Sequence, residues 1–224
     1  MCSEKVLPLQ SLRSLPTAPS ASENGWAGVR FLARRALPID AEALARYLVG
    51  KTLVHGTSEG PIGGRIVETE AYVVGDAAGH GFRGQTPRNR SLFLERGHAY
   101  VYFIYGCWFA LNVSGGKAGI GTGVLLRALE PVFGINLMRQ RRPESSVRDL
   151  ARGPGRLATA LGIDRRFDGI DLCEKGPLWL GSPIRRVGPV GVSTRIGLSR
   201  EADRLLRFYE RDNIYVSGPK TLSR

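Results

Sequence analysis

Two carboxylates stand two residues apart in Arg65-Ile66-Val67-Glu68-Thr69-Glu70-Ala71-Tyr72, a segment that otherwise reads as a strand. Side chains alternate across a strand, so Ile66, Glu68 and Glu70 are expected on one face and Val67, Thr69 and Ala71 on the other. Two Glu on one strand face call for solvent, a basic partner or a reaction. In a cleft, a carboxylate such as Glu70 takes a proton from water while that water attacks an electron-poor carbon. A solvated pairing with an Arg is the plain alternative. Glu68 is the second candidate, and if both are buried their repulsion raises a pKa. Tyr72 and His80 follow at the start of a polar stretch. A flat pair of this kind can hold a flat ligand, and stacking on a nucleobase is worth roughly 1–3 kcal/mol. A cationic ring gains further from aromatic faces. Read as ordinary residues, the Tyr belongs to the core and the His to the surface.

Tyr100, Tyr102, Phe103, Tyr105, Trp108 and Phe109 crowd a ten-residue stretch in a chain that is 8% aromatic. Most such residues are core by habit. Tyr105 differs, because it sits beside Gly106 at the expected tip of a hairpin with little core to reach. In a basic protein it suits insertion between bases. Arg127 interrupts the apolar run Val124-Leu125-Leu126-Arg127-Ala128-Leu129. A buried Arg there must pair, with Glu130 or a Glu of a neighbouring strand, unless it points into a groove. Thr86-Pro87-Arg88-Asn89-Arg90 puts two guanidinium groups on a turn, suited to phosphate or to surface acids. Gly153-Pro154-Gly155-Arg156 opens a helix, whose N-terminus attracts phosphate.

The elements that position these residues follow from periodicity and punctuation. Asp40 is an N-cap for a helix over 41–49 with Leu44, Tyr47 and Leu48 on one face, ended by Gly50. Strands are expected at 51–54, 64–71, 99–105, 109–114 and 123–129. Helices are expected near 133–141 and over 156–161, and short strands around 178–180, 187–196, 205–209 and 214–217. Residues 75–90 form a long loop, a length that is usually functional or mobile. Strands outnumber helices, so the fold class is α+β: a single domain with a curved, mainly antiparallel sheet, a protruding β-hairpin and flanking helices.

With 224 residues, 42% of them hydrophobic, the chain can bury a real core. Its 32 Lys and Arg against 20 acids give a net charge of +12. That balance predicts attraction to polyanions, nucleic acid first, and Arg suits phosphate because its planar fork donates two hydrogen bonds at once. Cys2, Cys107 and Cys173 form no disulfide framework or CxxC pair, and His55, His80 and His98 form no HxxxH or HExxH, so no metal site is expected. A reducing compartment suits such cysteines. No apolar run reaches membrane-spanning length, and the first residues do not read as a secretory signal. Residues 1–28, rich in Ser, Pro and Ala, read as a disordered extension. The domain then occupies 29–224.

Taken together, RIVETEAY (65–72), the His80 loop with RGQTPRN (83–89), YVYFIYG (100–106), LNVS (111–114), VLLRALEP (124–131) and GPGRL (153–157) resemble, in that order, the alkyladenine (3-methyladenine) DNA glycosylase family. The resemblance covers roughly 30–218. It implies a monofunctional base-excision repair enzyme that flips a damaged purine out of double-stranded DNA and hydrolyses its bond to deoxyribose. It further implies that Glu70 activates the water, that Tyr72, His80 and Tyr102 stack around the flipped base, and that Asn112 helps screen normal purines. Tyr105 would fill the hole in the helix, and Arg127 would lie near the damaged nucleotide and its backbone. No metal or cofactor is implied. A monomer is expected, located in the cytoplasm and nucleoid of a bacterium or in a eukaryotic nucleus, and not secreted.

Some positions depart from the family pattern. Cys107-Trp108 stands where Met and then Tyr or His are more usual, and the bulkier indole is expected to alter the pocket wall or the hairpin tip. Gly79 and Gly81 flank His80 where Ala or Ser are more usual, which predicts a looser loop. The rival readings are a non-catalytic nucleic-acid-binding module, similar in fold to the carboxyl-terminal domain of methionyl-tRNA formyltransferase, and a carbohydrate glycosidase. The first leaves Glu70, Tyr72 and His80 unexplained together. The second needs two opposed carboxylates, which Glu68 and Glu70 on one strand face supply poorly.

Overall fold

Asp40 starts the first helix as expected. Its side chain accepts a hydrogen bond from the Ala43 amide at 2.8 Å and α1 runs Ala41–Leu48, with Leu44, Ala45 and Leu48 buried. The structure, a computed structural model, describes residues 28–218. The extension expected over 1–28 lies outside the described residues except for Gly28. After α1 come β1 (Thr52–Thr57), β2 (Gly60–Tyr72), β3 (Ala99–Ile104), β4 (Trp108–Ser114) and β5 (Gly123–Phe133). Then follow α2 (Ile135–Arg141), α3 (Pro154–Leu161), β6 (Leu178–Gly181), β7 (Val190–Ser193) and β8 (Arg207–Glu210). All the strand pairings are antiparallel, in the order β3-β4-β5-β2-β1-β6, with β8 joining β2 to β7. The α+β fold with a curled antiparallel sheet is therefore as expected.

The strand β2 is the spine. On one side β5 follows it from Gly63 to Tyr72; on the other, β1 pairs with Gly60–Arg65 and β8 with Glu68–Glu70. It starts four residues before the expected Gly64. A Cβ on Gly63 would come within 2.1 Å of the Leu53 carbonyl and one on Gly64 within 2.0 Å of the Glu130 carbonyl. They are glycines because neighbouring strands approach too closely for a side chain.

The pairing of β2 with β5 slips on either side of Glu68. Such a bulge breaks strict alternation. Ile66 and Ala71 enter the main core and Thr69 Oγ1 donates to the Ala45 carbonyl of α1 at 2.9 Å, whereas Val67 packs in a separate cluster with Ala128 and Tyr209. The expected shared face of Ile66, Glu68 and Glu70 is thus corrected. Ile66 turns to the core, and Glu68 and Glu70 stay together on Arg127.

Other boundaries also move. β5 continues through Pro131 to Phe133, and α2 begins at Ile135 after Gly134 in the left-handed region. The strand expected over 187–196 is only Val190–Ser193, and 214–217 is no strand. There, the Ser217 amide donates to Glu68 Oε2 at 2.6 Å and so is not a ladder donor. The hairpin β3–β4 is buried at Ala99–Val101 and protrudes at its far end, where Phe103 is 47% and Tyr105 86% exposed.

Candidate active site

Glu70 is fully buried at the end of β2. Its Oε1 accepts from the Ile196 amide at 2.8 Å and lies 3.1 Å from Arg127 Nη1, and its Oε2 accepts from the Tyr72 hydroxyl at 3.2 Å. Burial pushes its pKa above the ordinary carboxylate value; Arg127 and the Ile196 amide pull the other way, and Glu68 adds to the rise. Arg127 also donates from Nε to Glu68 Oε1 at 2.9 Å. Burial works against its charge, yet Glu70 and Glu68 outweigh this and its pKa is raised. The Arg expected to need a partner therefore has two, both on β2. Glu68 is held further by Arg207 Nε at 2.7 Å and by Ser217 Oγ at 3.0 Å.

Beside this network lies a cavity of about 110 Å³ lined by Tyr72, Ala78, His80, Leu92, Tyr100, Tyr102, Asn112, Gly123 and Leu198. It brings together Tyr72 of β2, His80 of the following loop, Tyr102 of β3 and Asn112 of β4. Glu70 is not on the wall; it stands behind Tyr72, bonded to its hydroxyl. His80 packs edge-on against Tyr102, ring centroids 4.4 Å apart, and its Nδ1 is 2.8 Å from the Tyr100 hydroxyl. Asn112 Nδ2 donates to the Tyr100 carbonyl at 3.2 Å. Burial, then Arg88, lowers the His80 pKa, so the ring is neutral near pH 7. Burial raises the phenol pKa of Tyr72 and Tyr100 and takes Tyr102 to about 12, so all three hydroxyls stay protonated.

The loop that carries His80 is not loose. Asn89 Oδ1 accepts from the Thr86 amide at 2.6 Å, and its Nδ2 donates to the carbonyls of His80 at 2.8 Å and Gly84 at 3.1 Å. A Cβ on Gly81 would come within 1.9 Å of the Gly121 carbonyl. That glycine marks close packing, which corrects the looseness expected from sequence. Trp108 is placed differently from a pocket wall: its side chain packs over Gly155 at the start of α3, tying the hairpin to that helix.

Tyr105 and Gly106 are both at positive φ, +51° and +70°, and the Cys107 amide donates to the Ile104 carbonyl at 3.3 Å. That is a mirror-image hairpin turn with a bulky residue at a position that suits Gly or Asn. Left-handed backbone costs an L-residue about 1–2 kcal/mol. Tyr105 does not line the cavity and is 86% exposed.

A second cavity of about 420 Å³ shares His80 and Tyr100 with the first and is lined also by Arg83, Arg88 and Arg200. None of these three pairs with a carboxylate among the described residues. Ile196, Arg195, Arg207 and Ser217 belong to the site although nothing in the sequence singled them out. Two of these contacts are backbone amides, which carry no residue signature.

Residues 35–214 match the family model of methylpurine-DNA glycosylase. The chain belongs to the methylpurine-DNA glycosylase family. A protein of Mesorhizobium japonicum is 65% identical over 191 residues, covering 85% of this chain and 92% of its own. One of Paraburkholderia phytofirmans is 52% identical over 191 residues, covering 85% and 90%. One of Methanoculleus marisnigri is 46% identical over 182 residues, covering 80% and 94%. Each is named "Putative 3-methyladenine DNA glycosylase". As a methylpurine-DNA glycosylase the chain is a hydrolase of N-glycosyl bonds whose substrate is DNA. Among the described residues, no three His, Cys, Asp or Glu side chains group as metal ligands, and no helix is long and apolar enough to cross a membrane.

Proposed function

We propose that this methylpurine-DNA glycosylase excises alkylated or otherwise damaged purines from double-stranded DNA by base flipping, with Glu70 activating the attacking water. The observation that carries the reading is a fully buried carboxylate bonded to the hydroxyl of Tyr72, directly behind an aromatic cavity. Tyr72, His80 and Tyr102 would stack around the flipped base, and Asn112 would meet its edge. A carboxylate offers about four acceptor sites. Ile196, Arg127 and Tyr72 fill three of those on Glu70. The fourth, on Oε2, would take the water. The same charge stabilises the oxocarbenium-like sugar as the base departs. Arg127 holds Glu70 in place and lies next to the nucleotide. In this reading the enzyme acts as a monomer.

Only ionised Glu70 accepts the proton. Release of hypoxanthine or an alkylated adenine is expected to fall as pH drops, with a midpoint above 4.5, since burial raises that pKa. A pH profile of kcat/KM checks this. A rate flat down to pH 4 means that Glu70 is not the base.

Arg83, Arg88 and Arg200, which pair with no carboxylate among the described residues, would meet phosphates. Affinity for lesion duplex is expected to fall steeply with salt. Replacing any one of them by Ala reduces the slope of log K against log salt by about 1. Binding titrations over a range of salt measure it, and an unchanged slope removes that residue from the interface.

Tyr105→Gly relieves the strained turn and removes the wedge. Stability is expected to rise by about 1 kcal/mol while binding to lesion duplex weakens. Thermal melting and titration read the two effects. Lower stability with unchanged binding would contradict both roles.

A further inference from the structure

Tyr72 has a neighbour that the proposed chemistry does not use. The Arg195 guanidinium carbon lies 4.7 Å from the centroid of the Tyr72 ring. The Arg195 side chain is fully buried, as is that of its partner Asp76. Both terminal nitrogens grip the Asp76 carboxylate, Nη2 to Oδ1 at 3.1 Å, and Nη1 also donates to the Ala71 carbonyl at 3.0 Å. Its Nε is the one buried side-chain polar atom among the described residues without a hydrogen-bond partner. Arg195 does not line the base cavity, whereas Tyr72 does. The ring thus touches both the cavity and a buried ion pair that does not itself line it.

A cation is drawn to the negative face of an aromatic ring. A ring that already holds one cation offers a less negative opposite face, and two cations flanking it repel through a poorly screening interior. The field of Arg195 reaches Tyr72: burial raises the phenol pKa most, and Arg195 pulls it back. Asp76 offsets part of that field. Cationic and neutral bases of similar shape would thus stack unequally on Tyr72.

We propose that the Arg195–Asp76 pair sets how this cavity ranks cationic alkylated bases against neutral damaged bases, with Arg195 disfavouring the cation and Asp76 restoring it. Arg195 is a specificity-determining residue that acts through Tyr72. The inference rests on the proposed function.

The test compares kcat/KM for 7-methylguanine, which carries a positive charge in DNA, with that for hypoxanthine, which is neutral. Asp76→Asn leaves the guanidinium uncompensated, and the cation-to-neutral ratio is expected to fall by about tenfold. Arg195→Gln leaves the carboxylate uncompensated, and the ratio is expected to rise by about tenfold. A packing defect would not give opposite signs. Both rates falling together in each variant, or the ratio moving the same way in both, overturns the proposal. If only one variant folds, its sign decides. If neither folds, Arg195→Lys, which keeps the charge, is expected to hold the ratio within about twofold, and a larger change overturns it. A wild-type protein that releases neither base refutes the proposed function, and this inference with it. Release of both bases with ratios unmoved by the variants refutes this inference alone.

Discussion

Glu70→Gln is expected to lower the rate of base release by about 10²–10⁴-fold while leaving lesion-DNA binding within a few-fold of wild type. The amide keeps the shape and an acceptor for the Ile196 amide, but it takes no proton from water. Arg127 keeps its bond to Glu68 at 2.9 Å, so it is not stranded. Stability is also preserved. Because the folded-state pKa of Glu70 is raised, the folded protein holds that proton more tightly than the unfolded chain, and stability falls as pH rises from the ordinary carboxylate range through the raised value. At neutral pH an uncharged side chain at 70 therefore relieves a buried charge. Single-turnover rates and duplex titrations measure the two quantities. A variant that keeps more than a tenth of the rate would show that another group activates the water.

The largest stability loss is expected at the other carboxylate. Glu68 accepts from Arg127 Nε, Arg207 Nε, the Ser217 amide and Ser217 Oγ, and both guanidinium groups are buried. Removing one partner of a buried ion pair costs about 3–5 kcal/mol because the other charge is left uncompensated. Glu68→Ala should therefore lower the melting temperature by roughly 6–20 °C, at about 2–4 °C per kcal/mol for a chain of this size. It also removes a like charge beside Glu70. The acid limb of the pH profile should then move to lower pH in whatever fraction stays folded. Thermal melting of the two proteins decides. A loss of about 1 kcal/mol would mean that water reaches the two arginines.

Much of this site was readable from residue type and spacing. A Glu pair on a strand, an aromatic at the strand end and an Arg in an apolar run each demanded partners, and the structure pairs Arg127 with Glu68 and Glu70. The hairpin tip followed from Tyr105-Gly106, and the α1 start from Asp40. What failed depends on contacts made far along the chain. The bulge around Glu68 falls where β2 changes partner from β1 to β8, so alternation could not reveal that Ile66 turns to the core. That Gly63 belongs inside β2 shows only once the flanking strands are in place. The Ile196 and Ser217 amides hold the two carboxylates from more than a hundred residues away, where any side chain can supply an N–H. Gly81 was read as slack, yet it is fixed against Gly121. Arg195, whose partner Asp76 lies in the His80 loop, had no local pattern to mark it.

The most direct measurement is incubation of the purified protein with duplex DNA carrying one hypoxanthine or alkylated adenine, analysed with and without alkali, with Glu70→Gln alongside. The account predicts strand breaks only at the lesion, only after alkali and only with the wild-type protein, as expected when water replaces the base and leaves an intact abasic strand. Breaks without alkali, equal breaks from the variant, or tight salt-sensitive binding with no breaks on either lesion would contradict it.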